Sequence, residues 1–348
     1  GLGRVEGIAA LPTRVGTVEL RNPVLTASGT AGHGAELAPY IDLAGLGAVV
    51  TKSVHADPWP GNPAPRVHQA VAGMLNAVGL QGPGVAAWLA HDLPPLLDAG
   101  ATVVASIWGR SIDDYRRAAD LLADAPAGVV AVEVNLSCPN VEDRAGMFAH
   151  SDDATESAMS VTAGCGRPRW AKLSPNAGDL LPIVDAAVRG GAEAVTLVNT
   201  VMGMAIDPVT RRYQLGNGGG GLSGPAIHPV AVRAVHDVAA ARPDVPIVGV
   251  GGVTDATTAA ELLVAGASAV PRWPGAIRRS TSSWTTCSAT SGTAGSTNCP
   301  TWGRSQARRR WAAMPNSACH PPPSFPRWAG RPVWFLHRSK AARCWRRR

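Results

Sequence analysis

The sequence predicts an α/β fold, a (β/α)8 TIM barrel whose eighth unit is incomplete or replaced by a foreign tail. Two observations predict it. Short β-branched runs ending on polar or glycine positions recur eight times, and Ala/Leu-rich stretches with helical spacing separate them. Successive β-then-α units specify a closed parallel barrel better than an open sheet. About 270 residues is also the usual size of one such domain.

Strands one to three are placed at Val24–Gly29, Ala48–Ser53 and Thr102–Trp108. A helix over Ser111–Ala125 follows, because Ser111 can cap it and its first turn is acidic, where the helix dipole favours negative charge. Strands four and five are Val129–Ser137 and Trp170–Asn176. The helix Asp179–Gly190 then stops at a glycine pair, ahead of strand six at Ala194–Thr200. The helix Pro229–Ala241, strand seven at Ile247–Val253, the helix Asp255–Ala265 and a short strand eight at Ala267–Val270 complete the series.

Such a barrel builds its active site at the C-terminal ends of its strands. Those ends read Ala27-Ser28-Gly29, Thr51-Lys52-Ser53, Asn135-Leu136-Ser137-Cys138-Pro139-Asn140, Lys172-Leu173-Ser174-Pro175-Asn176, Asn199-Thr200 and Gly251-Gly252. Asn, Ser, Gly and Pro are ordinary turn residues, so each segment alone has a structural explanation. Lysine or cysteine at strand ends two, four and five goes beyond that vocabulary. Two ammonium groups and several amides converging on one cavity suit a flat, anionic, heteroatom-rich ligand. Glycines after strand seven let backbone N–H groups approach a phosphate. A thiol in the strand-four loop can move a proton, since the ordinary cysteine pKa of about 8.5 is close enough to neutrality to be tuned. By residue type alone Cys138 reads equally as a small buried apolar group, and its loop position favours the chemical role.

Other features carry less. Cys138 and Cys165 are the only thiols before residue 271, which favours a reducing compartment, and Cys165 reads as a loop or packing residue. No apolar run reaches the ~18–20 residues that a membrane span needs, and no signal peptide is recognisable, so the body is read as cytoplasmic. The histidines lack paired metal spacing, and no metal site is expected. Gly218-Gly219-Gly220-Gly221 is neither a Walker motif nor a dinucleotide turn, and is expected to be a flexible loop.

Six segments, in order, resemble the class 1 dihydroorotate dehydrogenases over about residues 14–270: Asn22 to Gly29, Gly73 to Gln81, Asn135 to Asn140, Ala171 to Asn176, Asn199-Thr200 and Gly220 to Pro225. They most resemble the catalytic subunit of the heteromeric, NAD-linked 1B type. The resemblance implies an FMN enzyme of pyrimidine biosynthesis that oxidises dihydroorotate to orotate. It implies Cys138 as the base for the C5 proton while a hydride leaves C6 for the flavin. Matching positions place the substrate among Lys52, Asn76, Gly79, Leu80, Asn135, Asn140, Asn199 and Thr200. They place FMN against Ala27, Ser28, Lys52, Asn135, Lys172, Val198, Gly224, Gly251 and Gly252, with Lys172 at the N1/O2 edge of the flavin. Ser106 stands where the family commonly has Asn, and is left out of the flavin contacts. A homodimer joined to an FAD/iron–sulfur electron-transfer subunit is implied, with no role for membrane or nucleic acid. An FMN-dependent tRNA dihydrouridine synthase and an inactive truncated barrel are the alternatives.

Residues 271–348 form a second compositional unit. They hold 14 Arg and 1 Lys with no Asp or Glu, whereas residues 1–270 carry 17 basic and 25 acidic side chains. The +7 of the whole chain is therefore an acidic domain plus a basic tail. A basic arm for nucleic acid or acidic lipids, a disordered interaction tail and out-of-frame translation of a GC-rich gene all fit. The last is favoured by the missing carboxylates and by the abrupt start at the eighth strand. With the turn and helix after strand eight replaced, an open sheet edge and weak or absent FMN binding are expected.

Overall fold

The computed structural model of the chain describes residues 11–137 and 148–271. Eight parallel strands form its centre: β1 (Val24–Leu25), β2 (Val49–Val50), β3 (Val103–Ile107), β4 (Val129–Asn135), β5 (Arg169–Lys172), β6 (Ala194–Leu197), β7 (Ile247–Gly249) and β8 (Val270–Pro271). β2 to β7 pair in sequence order as one sheet, and β8 pairs with β1 through Val270 opposite Val24. Parallel bridges between Leu25 and Ala48 and between Val248 and Ala269 join that pair to both sides of the sheet, so hydrogen bonding runs once around the ring. The eighth unit thus supplies a strand with neighbours on both sides rather than the open edge expected there. Its helix would fall after residue 271, and the foreign-tail readings likewise concern residues outside the described set.

Most strands leave the ladder earlier than the sequence suggests. Trp170–Asn176, for example, is strand only to Lys172, and Ala194–Thr200 only to Leu197. Parallel strands buried on both faces read as continuous apolar runs, and the polar residues that follow belong to the loops forming the mouth.

Around the ring lie a helical run over residues 85–98 (α1), α2 (Ile112–Asp120), α3 (Asp152–Val161), α4 (Leu181–Arg189), α5 (His228–Ala241) and α6 (Ala256–Ala265). Ser111 caps α2 in a reciprocal box with Asp114, and Asp255 caps α6 in the same way with Thr258. Helices α1 and α3 were not singled out in the sequence. No helix connects β1 to β2 among the described residues, where the chain runs through turns.

Two apolar layers hold the fold. One packs the helices onto the outer face of the ring; the other fills the ring with Val50, Val104, Ala131, Trp170, Ala194 and Val248. A hairpin of Thr13–Val15 and Val18–Leu20 sets Val15, Val18 and Leu20 into that inner layer and plugs the N-terminal end. At the opposite end, insertions after β2 and β6 supply an antiparallel sheet of Val67–Ala70, Gly73–Asn76, Gly219–Ser223 and Val201–Met204.

The tetraglycine is therefore mostly strand, which corrects the expected flexible loop. Its glycines are needed for close approach: a Cβ on Gly220 would overlap the Asn76 backbone, and one on Gly221 the Thr200 side chain. Sheet pairing supplies the order that glycine lacks by propensity.

Candidate active site

The inward side chains change character along each strand. Because successive residues alternate faces, Ala131, Glu133 and Asn135 of β4 share one face, as do Trp170 and Lys172 of β5. Val104 of β3 is followed two residues later by Ser106. One step up the ring, the apolar filling gives way to a buried polar layer.

That layer is a continuous chain of contacts. Lys172 donates from Nζ to Ser28 Oγ at 2.8 Å, and its ammonium lies 3.9 Å from a Glu133 carboxylate oxygen. Ser106 Oγ donates to Glu133 at 3.1 Å and lies 2.8 Å from Ser53 Oγ. Asn135 Nδ2 donates to Ser53 Oγ at 3.1 Å, and Asn199 Nδ2 donates to Asn135 Oδ1 at 3.2 Å. The Tyr115 hydroxyl of α2 donates to the Asn135 carbonyl and fixes that strand end from behind. Residues from six strand ends are linked in this belt. Glu133 was not anticipated, and Ser106 was set aside, yet both are buried in its middle.

Above the belt opens a cleft. Of the sequence-predicted residues, Ser28, Lys52, Asn76, Gly79, Leu80, Asn135, Lys172, Asn199 and Thr200 line it together. Asn176 also lines it, held by its donation to the Thr200 carbonyl at 3.0 Å and by Met202 N–H donating to its Oδ1 at 2.9 Å. Asn76 reaches the cleft because its strand pairs with Gly219–Ser223, to whose Gly221 carbonyl its amide donates. Cys138 and Asn140 lie outside the described residues. Ser137, just before them, turns into the cleft with its backbone N–H on Asn135 Oδ1.

The predicted cofactor glycines Gly224, Gly251 and Gly252 do not line the cleft and form a group of their own. Gly252 has φ +64°, and a Cβ there would come within 2.8 Å of the Gly224 carbonyl, so the two loops touch through backbone alone. His228, at the start of α5, contacts the Gly251 carbonyl through Nδ1 at 2.8 Å and Glu261 through Nε2 at 2.8 Å. Val198 is buried, donating from its N–H to the Val250 carbonyl, and Ala27 is half-buried in the turn before Ser28.

At the rim, burial and then the nearby Arg66 guanidinium hold the Lys52 ammonium below the ordinary lysine pKa. His33 is held below the ordinary histidine value by burial and then by Lys52. Cys165, away from the cleft, is buried with its thiol pKa pushed up by that burial, as a packing residue should be.

This donor set is suited to an acceptor-rich, electron-rich guest. Lys52, Lys172 and four Asn amides offer N–H groups, and the Ser137 hydroxyl is buried at the cleft wall without a partner among the described residues. A planar heterocycle with carbonyl and ring-nitrogen acceptors fits that chemistry. Glycine loops with no Cβ in the way fit a phosphate beside it. No helix among the described residues is long and apolar enough to cross a membrane.

Comparison with known proteins points to one family. The sequence profile of the family described as dihydroorotate dehydrogenase matches residues 10–280. The catalytic subunit of dihydroorotate dehydrogenase B (NAD(+)) from Desulforudis audaxviator is 50% identical over 257 residues, covering 72% of this chain and 81% of that protein. The subunit of the same name from Alkaliphilus metalliredigens is 46% identical over 263 residues, 75% of this chain and 85% of its own length. Its counterpart from Geotalea daltonii is 43% identical over 261 residues, with the same two coverages. The family implies a flavin cofactor, and a chain matched over most of its described length by that profile and these relatives belongs to the dihydroorotate dehydrogenase family.

Proposed function

We propose that this chain oxidises dihydroorotate to orotate in pyrimidine biosynthesis, with FMN as its flavin. The observation carrying this reading is the cleft: within a barrel of this family, two lysines and four asparagines converge on one mouth above a buried polar layer. Asn76, Asn135, Asn199 and the Thr200 segment supply the amides and hydroxyl that the substrate's ring N–H and C=O groups require, and Lys52 neutralises its carboxylate. Gly79 and Leu80 close the wall beside them. Cys138 takes the C5 proton as base, and Asn140, two residues on, completes the substrate contacts. Bound FMN supplies the acceptor for the C6 hydride, so the substrate loses one proton and one hydride in all.

Ala27, Ser28, Lys52, Asn135, Lys172 and Val198 would hold the flavin ring end, and Gly224, Gly251 and Gly252 the phosphate. Lys172 would face the edge where negative charge develops on reduction, a fixed cation of the kind worth a few kcal/mol. The relatives' names speak of a catalytic subunit and of NAD(+). For this chain we infer a cytoplasmic homodimer that passes electrons to an FAD/iron–sulfur subunit. Residues 271–348 take no part in this reading, and the family match stops at residue 280.

The test is anaerobic. FMN is added in excess to the purified chain, dihydroorotate is mixed in, and the visible flavin band is followed. The replaced turn after strand eight makes FMN binding weak, so saturation should need FMN well above the enzyme concentration; once it is reached, bleaching is expected, and Cys138→Ser should slow it by at least about 100-fold while FMN stays bound. Reduction by Cys138→Ser at the parental rate removes Cys138 as the base. Failure of dihydroorotate to bleach bound FMN removes the reading.

A further inference from the structure

The belt contains a buried carboxylate that the substrate chemistry does not call for. Glu133 is 3% exposed at its side chain and Lys172 is 7% exposed, 3.9 Å apart on neighbouring strands. Each is held by a hydrogen bond of its own. Ser106 holds the carboxylate from β3, and Ser28 takes the nearest N–H of the ammonium from the β1 loop. Lys172 lines the cleft and Glu133 does not, so the carboxylate stands behind the ammonium as seen from the cleft. A buried charge with no counter-charge is strongly disfavoured, and the two ions share one site for that reason. Yet the hydrogen bond of Lys172 goes to Ser28, and Glu133 acts on it through charge across a gap rather than by direct bonding.

We propose that Glu133 is a positioning residue: it anchors the Lys172 ammonium at the cleft floor and sets how much positive charge that ammonium presents to the bound ring. This rests on the FMN reading above. It makes the strength of the Lys172 field adjustable at a residue that never meets the ligand. At the 3.9 Å between the two groups, removing the Glu133 charge alters the energy of the Lys172 ammonium by more than tenfold in an equilibrium constant, and the field it presents to an anion beside it rises accordingly. Gln in place of Glu keeps the shape and still accepts from Ser106, so Glu133→Gln removes the charge alone.

Two measurements test this. The first needs no flavin: urea unfolding of the parent chain, Glu133→Gln, Lys172→Met and the double variant. Each single variant leaves one buried ion unpaired and should be clearly less stable, whereas the double variant should recover most of the loss. Additive losses overturn the pairing. The second uses FMN-saturated protein and reversible sulfite addition to the bound flavin, which places negative charge on the ring. Glu133→Gln should bind sulfite at least about tenfold more tightly than the parent, and Glu133→Asp should return toward the parental value. Unchanged or weaker sulfite binding in Glu133→Gln, with FMN bound, overturns the tuning role. A parent chain that takes up no FMN removes the cofactor assignment, and the tuning role with it, while the unfolding cycle still decides whether the two ions are coupled.

Discussion

The lower and upper halves of the barrel interior are built from the same strands, yet they share almost no chemistry. Trp170, Ala131 and Val104 fill the ring below, while Lys172, Glu133 and Ser106 stand two residues further along those very strands. The lower layer is governed by volume and the upper by partnership. A buried apolar group needs only neighbours of the right size, whereas every buried polar group needs a specific mate. One backbone geometry therefore provides a rigid base and, one step of the alternation away, a chemically active floor.

Substitutions in the two layers should separate these roles, and the largest effect belongs below. Trp170→Ala empties the biggest side chain of the inner layer and should cost about 3–5 kcal/mol in urea unfolding. If its loss is below about 1 kcal/mol, the lower layer is not the base described here. Above, Asn199→Ala removes a half-buried amide on the cleft wall. It should leave stability within about 1 kcal/mol but slow flavin reduction by dihydroorotate roughly 100-fold, read in single-turnover mixing. An equal effect on stability and rate would blur the distinction. Ser106→Ala lies on the boundary, deprives both Ser53 and Glu133 of a partner, and should cost about 1–2 kcal/mol.

The smallest effect is expected at the rim. The pKa of His33 is lowered from 6.5 by burial and by Lys52, so the unfolded chain takes up that proton first as pH falls. Its contribution to stability is complete above about pH 6.5 and declines below it. Urea midpoints at about pH 7.5 and about pH 5 should therefore converge slightly in His33→Gln relative to the parent. A wider gap in the variant would reverse the sign assigned to this residue.

The layer below was the easier to read from sequence. Runs such as Val129-Val130-Ala131-Val132 are apolar on both faces and mark parallel strands without further information. Helices α2 and α6 announced themselves through Ser111 and Asp255, whose capping chemistry is local. The upper layer was legible where strand ends carried Lys or Asn, and at Ser28. Glu133 was passed over because it sits inside an apolar strand. A signal was present in its parity, since a charged residue two positions before Asn135 must share the inward face of β4. The antiparallel sheet over the mouth was illegible for a different reason. Its Gly219–Ser223 strand owes its place to backbone approach against Asn76 and Thr200, contacts between segments far apart in the chain that no local pattern encodes.

The belt also bears on how the chain reaches its native state. Its members range from Ser28 to Asn199, and each hydrogen bond spans 27 to 144 positions along the sequence. Contacts of such high order each carry the entropy of closing a long loop. No half-barrel contains the whole set. The hoop of hydroxyl, amide and ionic links thus singles out one register of the ring: a misregistered ring would bury the same charges with no mates, and only the correctly threaded one is rewarded.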